Sequence, residues 1–211
     1  MTMLRVGLTG SIGVGKSFVA GVLEELGCHV VDADQTAREV VMPGTPGLAT
    51  VVETFGSKVL RDDGTLDRQK LGAIVFSDQS KRELLNSILH PYIIVRQDEL
   101  LREWERADPA GIGVVDAALM IESGGYKRFD KLIVVHCRPE VQLERLIKRD
   151  GISEEEARQR VSAQLSQEEK CKLADYLIDT SEGFAATRTQ TEKVFRELQE
   201  LSRRQVVKSS K

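Results

Sequence analysis

The stretch GLTGSIGVGKS, residues 7–17, joins a glycine-rich loop to a lysine and a serine. Gly10, Gly15, Lys16 and Ser17 match the spacing G-x4-G-K-S, the P-loop, which holds the phosphates of a nucleoside triphosphate. Glycines let backbone N–H groups curl around a phosphate, and the helix that follows points its positive end at the anion. An apolar run precedes the loop and helical spacing follows it, as the motif requires. The stretch therefore predicts a phosphate-binding loop between a strand and a helix.

Short apolar runs along the rest of the chain indicate further buried strands. None of the runs alternates polar and apolar residues, as expected of a parallel sheet that is covered on both faces. Helical spacing lies between them, for example at Val19, Val22, Leu23 and Leu26. The pattern predicts an α/β fold of three layers, with a doubly wound, five-stranded parallel sheet. The runs occupy residues 4–10, 28–34, 111–117, 131–137 and 175–180.

The gap between the second and third runs is too long for a plain crossover connection. It reads mostly as helix, with an apolar stripe at Leu48, Val51, Val52 and Phe55. We interpret residues 35–111 as a helical lobe inserted into a single domain that spans residues 1–211.

Local signals place helix boundaries within this lobe. Asp67 and Ser77 are predicted to cap two helices, because aspartate and serine are favoured caps. His90 is expected to end one helix and Pro91 to begin the next, since proline fits a first helical position. The segment from Pro91 then reads as a long helix that ends at the turn DPAG, residues 108–111.

Composition and charge exclude several classes of protein. The 211 residues carry a formal net charge of −3 at pH 7, so the total charge does not favour nucleic acid as a partner. No apolar stretch is long enough to span a membrane. Cys28, Cys137 and Cys171 are scattered and odd in number, which fits neither a disulfide framework nor a metal cluster. We therefore expect a cytoplasmic monomer without a nucleic-acid or membrane partner.

Carboxylates follow two of the predicted strands, at the edge where open α/β sheets bind ligands. Asp34 is a candidate for orienting an attacking hydroxyl and accepting its proton, but it would serve equally as a helix cap. Asp32 is interpreted as a capping or supporting group. Asp116 is a candidate for holding Mg²⁺ through water, together with the Ser17 hydroxyl, and its alternative role is a turn residue. Glu122, in the next loop, either lines an acceptor pocket or is solvated.

Arginines crowd one region of the second half of the chain. Arg145 and Arg149 stand four residues apart on a predicted helix and therefore share a face. Guanidinium groups near a γ-phosphate would stabilise the charge that develops during phosphoryl transfer. Residues 149–166 are interpreted as a lid over the nucleotide, with a capping box formed by Ser153 and Glu156. The alternative is a solvated face with the surface pairs Glu144–Lys148 and Glu156–Arg160.

Eight segments, taken in order, carry a resemblance to a known family. They are GLTGSIGVGKS, VVDADQTAREVV, GTLDRQKLGAIVF, LHPYI, AALMIESG, PEVQLERLIKRDG, EEARQRVSAQ and ADYLIDTSEG. Together they resemble the dephospho-coenzyme A kinase family over nearly the whole chain, from about Leu4 to Leu201. Many kinases share the P-loop, whereas the DADQTAR segment, the His-Pro step and the arginine–glutamine pattern of the lid are far more particular.

The resemblance implies the last step of coenzyme A synthesis, in which ATP phosphorylates the ribose 3′-hydroxyl of dephospho-CoA. It also implies a P-loop kinase core, a helical lobe that binds the acceptor, a lid, and Mg²⁺ as cofactor. Asp34 matches the family's acid at the acceptor hydroxyl, and Arg38 matches an arginine near the acceptor. His90 falls in the lobe that shapes the CoA site, and Arg145 and Arg149 match positions on the ATP and lid side.

The candidate site residues are then assigned as follows. Those expected to bind ATP are Gly10, Ser11, Ile12, Gly13, Val14, Gly15, Lys16, Ser17 and Phe18. Those expected to bind the acceptor are Asp34, Arg38, His90 and Glu122. The catalytic candidates are Asp34, Lys16, Arg145 and Arg149, and the Mg²⁺ candidates are Ser17 and Asp116, through water.

Three positions depart from the usual pattern of the family. Phe18 follows the P-loop serine where threonine is often found, at a position that need not touch Mg²⁺. Ala118 replaces a common proline, which changes the expected rigidity of the loop around the acceptor. Thr180 stands where asparagine is common, so an adenine contact there is not predicted.

Two other classes of protein share the P-loop. One is another small-molecule kinase on the same core, such as a nucleotide or shikimate kinase. The other is a GTPase switch, but the sequence contains no N-K-x-D motif for guanine recognition.

Overall fold

The computed structural model describes residues 3–76 and 78–209, so the expected cap at Ser77 lies outside the described residues. The described residues form two compact units. The first, called the sheet unit, comprises the chain up to Val31 and from Leu101 onward. The second, called the helical unit, comprises Asp32–Leu100.

The strands are β1 (Leu4–Gly10), β2 (His29–Asp32), β3 (Ile112–Asp116), β4 (Lys131–His136) and β5 (Tyr176–Asp179). Within the described residues, these five parallel strands form one sheet in the order β2-β3-β1-β4-β5. Leu8 pairs with Asp116 on one side of β1, and Gly10 pairs with Val135 on the other. The central strand β1 therefore ends next to the carboxyl ends of β3 and β4, and the P-loop begins between them. The predicted α/β fold of the P-loop kinase type is confirmed.

The core of the sheet unit lies between the sheet and two helices, α1 (Lys16–Glu25) and α9 (Gly183–Ser209). Its buried apolar side chains come from four strands and both helices, and they stabilise the unit by leaving water. On Gly113 of β3, a Cβ atom would collide with the side chain of Leu101, so this glycine allows a helix to pack closely on the strand. Core residues include Leu4, Val6, Leu8, Val19, Leu23, Val114, Ile133, Val135, Ile178, Val194 and Leu198.

The helical unit has a separate apolar core. It contains α2 (Ala33–Glu39), α3 (Pro46–Phe55), α4 (Arg68–Phe76) and the first part of α5 (Gln79–Ala107). The predicted stripe on α3 is buried at Leu48, Val51 and Phe55. Asp67 accepts hydrogen bonds from the N–H groups of Gln69 and Lys70 and so caps α4, as predicted.

Helix α5 continues through Pro91, so the expectation of two helices that meet at His90 is wrong. Proline inside a helix removes one hydrogen bond and costs about 3 kcal/mol. Here Leu89, before the proline, and Tyr92, after it, pack on the same core and keep both segments in one helix. The Tyr92 hydroxyl also bonds Thr50 Oγ1 at 2.9 Å.

The boundary of the helical unit also differs from the predicted lobe of residues 35–111. The unit ends at Leu100 in the middle of α5, and the last turns of that helix belong to the sheet unit. The reason is that Leu101 is buried beside Gly113 of β3, although no break in the sequence marks this change of core.

The arginine-rich region forms a chain of helices in the sheet unit. Gly151, with φ of +64°, ends α6 (Pro139–Asp150) in a left-handed conformation. The predicted capping box is present, since Ser153 and Glu156 bond each other's backbone N–H groups at the start of α7 (Glu154–Ser162). The helix α8 (Gln167–Cys171) follows.

Short 3₁₀ helices occur at Ser57–Val59 in the helical unit and at Gly125–Arg128 in the sheet unit. Among the helices of residues 3–76 and 78–209, none is long and apolar enough to cross a membrane.

Candidate active site

The P-loop connects β1 to α1 through residues 11–15. Gly13 and Gly15 have φ angles of +82° and +84°, which residues with a Cβ atom rarely adopt. Gly15 precedes the first residue of α1, Lys16, so the positive end of the helix opens onto the loop. The sequence thus folds here into the strand, loop and helix that an anion-binding site needs.

Glutamine side chains fix the backbone of the P-loop. The N–H of Ile12 donates to Gln164 Oε1 at 2.8 Å, and Gln142 Nε2 donates to the carbonyl of Ile12 at 2.7 Å. Gln142 is buried and accepts in turn from Gln167 Nε2 at 2.8 Å. Only Gln164 belongs to a recognised pattern, the arginine–glutamine pattern of the predicted lid. The network as a whole has no local sequence signal, because it joins Gln142 to residues 164–167 and to the P-loop.

Lys16 and Asp116 are brought together at the start of α1 and the end of β3. Lys16 Nζ is in contact with Asp116 Oδ1, and the two side chains are 19% and 10% exposed. The pairing of Leu8 with Asp116 places this carboxylate beside the strand that enters the P-loop. The structure therefore unites the lysine expected at the phosphates with the acid expected at Mg²⁺.

Arg145 lies beside the P-loop and is held by Thr180. Its Nη1 donates to Thr180 Oγ1 at 2.8 Å, and its Nη2 donates to the Thr180 carbonyl at 2.7 Å. Thr180 Oγ1 donates to the carbonyl of Val14 at 2.7 Å. The threonine that departs from the family pattern thus links a predicted catalytic arginine to the phosphate loop.

Arg149 has a different partner from Arg145. Its Nε and Nη2 donate to the two carboxylate oxygens of Asp150 at 2.7 and 3.1 Å, and Arg160 donates to Asp150 at 2.7 Å. These contacts, with the Arg149 hydrogen bond first, hold the pKa of Asp150 below its usual range. Arg160 therefore pairs with Asp150, whereas the surface alternative had paired it with Glu156.

Glu122 is engaged by protein groups. Its Oε1 lies 2.8 Å from Nζ of the fully buried Lys170 and accepts the N–H of Leu165 at 3.2 Å. This arrangement anchors the loop after β3 and shows that Glu122 is not simply solvated. Its expected role at the acceptor stays a prediction. No sequence motif surrounds Lys170, so the sequence does not predict this contact.

The remaining candidates belong to the helical unit. Asp32 caps α2, because its Oδ1 accepts from the N–H groups of Asp34 and Gln35 at 2.7 and 3.4 Å. Asp34 is therefore in the first turn of the helix and is not its cap. Arg38 lies four residues later, so both exposed side chains share one face of α2. His90 is exposed in the middle of α5.

The P-loop follows the central parallel strand, its lysine contacts a carboxylate at the end of a neighbouring strand, and an arginine lies beside the loop. These features define the class of P-loop phosphotransferases. The family described as dephospho-CoA kinase matches residues 4–186 of this chain. The chain therefore belongs to the dephospho-CoA kinase family, and the activity supported for it is that of a dephospho-CoA kinase.

Curated relatives of this family cover most of the chain. The dephospho-CoA kinase of Streptomyces avermitilis is 49% identical over 84% of this chain and 85% of the relative. That of Listeria innocua is 45% identical over 88% of this chain and 92% of the relative. Membership of this family favours a dephospho-CoA kinase over a GTPase switch and over another small-molecule kinase.

Solved structures agree with the fold. The dephospho-CoA kinase from Campylobacter jejuni superposes with a TM-score of 0.71 at 29% identity, covering 93% of this chain and 97% of the other. A shikimate kinase from Acinetobacter baumannii has a TM-score of 0.51 at 18% identity over 93% of each chain. At that identity the second likeness shows the fold alone.

Proposed function

We propose that this chain transfers the γ-phosphoryl group of ATP to the ribose 3′-hydroxyl of dephospho-CoA, with Asp34 as the base. The observation that carries the role of Asp34 is the cap of α2, since Asp32 supplies it and Asp34 is not needed for it. Arg38, on the same face of the helix, is proposed to bind the acceptor. His90 is proposed to contribute to the acceptor site from α5.

In the proposed reaction, the acceptor oxygen forms a bond to the γ-phosphorus while the bond to the β,γ-bridging oxygen breaks. The proton of the acceptor hydroxyl passes to the carboxylate of Asp34. Lys16 leaves Asp116 and neutralises charge on the β- and γ-phosphates, and Arg145 and Arg149 stabilise charge on the transferring group. The positive end of α1 acts in the same direction.

The side chains at the P-loop fit Mg²⁺ as the cofactor. Mg²⁺ prefers oxygen ligands, keeps several waters, and is usually bound through one or two protein groups together with substrate phosphates. Ser17 supplies a hydroxyl at the start of α1 and Asp116 a carboxylate at the end of β3. When bound there, the metal would neutralise phosphate charge, and Asp116 would orient its water shell.

We also propose ATP and dephospho-CoA as the partners of a cytoplasmic monomer that uses neither nucleic acid nor a membrane. The net charge of −3 and the three unpaired cysteines support this proposal. Size-exclusion chromatography with light scattering tests the monomer, and a mass near twice 23.5 kDa would contradict it.

One experiment tests the reaction directly. The protein is incubated with Mg-ATP and dephospho-CoA, and the product is analysed by mass and by comparison with authentic coenzyme A. We expect one added phosphoryl group at the 3′ position. Shikimate and nucleoside monophosphates are tested as alternative acceptors, and GTP is tested as an alternative donor. Efficient phosphorylation of another acceptor without formation of coenzyme A would overturn the proposal.

A further inference from the structure

Lys170 is a fully buried charged residue that the proposed mechanism does not use. It lies on α8 with 0% of its side chain exposed, and Nζ contacts Glu122 Oε1 at 2.8 Å and the Ala118 carbonyl at 3.1 Å. Both partners belong to the loop that begins directly after Asp116. A single ammonium group thus holds this loop at two points.

The partners of Lys170 lead to two other parts of the candidate site. The Ala118 carbonyl also accepts from Thr9 Oγ1 at 3.2 Å, and Thr9 is the residue before the first P-loop glycine. Glu122 Oε1 also accepts from the N–H of Leu165, at the end of the predicted lid. The neighbour of Leu165 is Gln164, whose Oε1 accepts from the N–H of Ile12 in the P-loop.

Stability alone gives little reason to place a lysine here. Removing the charges of an ion pair from water has a large desolvation cost, and apolar side chains of similar volume are often as stabilising or more so. Methionine would fill the site of Lys170 without that cost. Methionine, however, cannot hydrogen-bond to Ala118 and Glu122 at once. The lysine is therefore explained by the position in which it holds the loop after Asp116.

We propose that Lys170 is a positioning residue that keeps Asp116, the P-loop and the end of the lid in register for phosphoryl transfer. This inference rests on the proposed function. Ala118 is only two residues from Asp116, so movement of the loop moves the carboxylate. Release of Glu122 also frees the Leu165 N–H, which sits next to the glutamine that holds Ile12.

The test compares Lys170→Met with Lys172→Met. Lys172 is two residues away, largely exposed, and pairs with Glu168 at 2.9 Å, which makes it a matched control outside the network. In Lys170→Met the Ala118 carbonyl keeps Thr9 as a donor, whereas Glu122 loses its charged partner and is no longer held beside Leu165. We therefore expect a melting temperature below that of the wild type, and the two variants are compared at a temperature where both are folded.

The kinetic parameters separate positioning from packing. We expect Lys170→Met to lose roughly 10- to 100-fold in kcat, the scale seen when supporting groups of a site are removed, while KM for dephospho-CoA stays within about twofold. Amide exchange of Leu165 should also increase in the variant without ligand. A folded Lys170→Met with wild-type kcat and wild-type exchange at Leu165 would overturn the proposal, as would an equal loss in Lys172→Met.

A second pair of variants covers the case in which Lys170→Met does not fold. Glu122→Leu removes the acceptor at a position that is partly exposed, and it should reproduce the loss in kcat. Glu122→Gln keeps an acceptor oxygen for both Lys170 and Leu165 and should retain most of the turnover. Normal turnover in folded Glu122→Leu contradicts the proposal.

The wild-type protein distinguishes failure of this inference from failure of the proposed function. If wild type makes no coenzyme A, the reaction is wrong, and the Lys170 variants are assayed by Mg-ADP affinity and Leu165 exchange instead. Unchanged affinity and exchange in Lys170→Met then reject the positioning role independently of the acceptor.

Discussion

Asp32 Oδ1 accepts a hydrogen bond from the backbone N–H of Asp34 at 2.7 Å. Asp32 is therefore the cap of α2, and Asp34 occupies the first turn of that helix with its side chain exposed. Of the two carboxylates of the DAD segment, Asp32 caps the helix and Asp34 does not, a choice that the sequence had left open. A carboxylate in the first turn is also favoured by the positive end of the helix.

Asp34→Asn should lower kcat by roughly 10²-fold or more, the scale of general-base loss. Asparagine keeps the size and much of the hydrogen bonding of the side chain but has no basic oxygen. The affinity for ATP should barely change, because the P-loop provides that binding. Steady-state kinetics and calorimetric ATP titration measure both quantities, and normal turnover would remove Asp34 from the mechanism.

Asp32→Ala is the control for this variant. Loss of the cap should lower the free energy of unfolding by about 1 kcal/mol. Asp34→Asn should leave that free energy within about 0.5 kcal/mol of wild type, as for a surface change that removes no cap. Thermal denaturation distinguishes the two aspartates, and the opposite order of stabilities would contradict the assignment of the cap.

Lys16→Met should abolish most of the turnover, by roughly 10²-fold or more, because it removes a charge that stabilises the transferring phosphoryl group. The variant also leaves Asp116 without its lysine partner, so a modest fall in melting temperature is expected. ATP titration and single-turnover assays test the change. Lys148→Met, at an exposed position on α6, should behave as wild type. Near-normal turnover of Lys16→Met would refute the P-loop assignment.

Arg145→Lys and Arg149→Lys test whether these arginines grip phosphate oxygens. Lysine lacks the planar fork of the guanidinium group, so each variant should lose roughly 10²-fold in kcat at saturating ATP. Arg158→Lys is the matched control, since Arg158 is exposed and pairs with Glu154 on α7 at 2.6 Å. If Arg149→Lys is as active as the control, its contact with Asp150 is a surface ion pair without a catalytic role.

Cys28 should make the protein less stable at alkaline pH. Burial raises the pKa of its thiol from 9.0 to about 12. Between these values the unfolded chain releases a proton that the native protein keeps, so stability falls as pH rises, by at most about 1.4 kcal/mol per pH unit. The melting temperatures of wild type and Cys28→Ala are measured at about pH 8 and about pH 10.5. The fall between the two pH values should be larger in wild type, and the difference is the contribution of Cys28. Equal pH dependence of the two proteins would contradict it.

The sequence by itself determined the P-loop, the five strands and the helix caps at Asp67 and Ser153. These features depend on local chemistry: glycines that accept positive φ, apolar runs of strand length, and aspartate or serine before a helix. The same local rules misjudged Pro91, because burial on both sides of the proline outweighs the hydrogen bond that it removes. They also placed the end of the helical lobe at the turn of residues 108–111. In the structure, α5 leaves the core of the helical unit at Leu100, and Leu101 is buried in the sheet unit.

Only the tertiary structure decided which side chains meet. Lys16 and Asp116 are 100 residues apart in the chain, and Arg145 and Thr180 are 35 apart. Parallel pairing of the strands brings their carboxyl ends to one edge of the sheet and so creates the first contact. The buried Lys170 and Gln142, which bonds the Ile12 carbonyl, have no local pattern, because their partners come from segments that are joined only by packing.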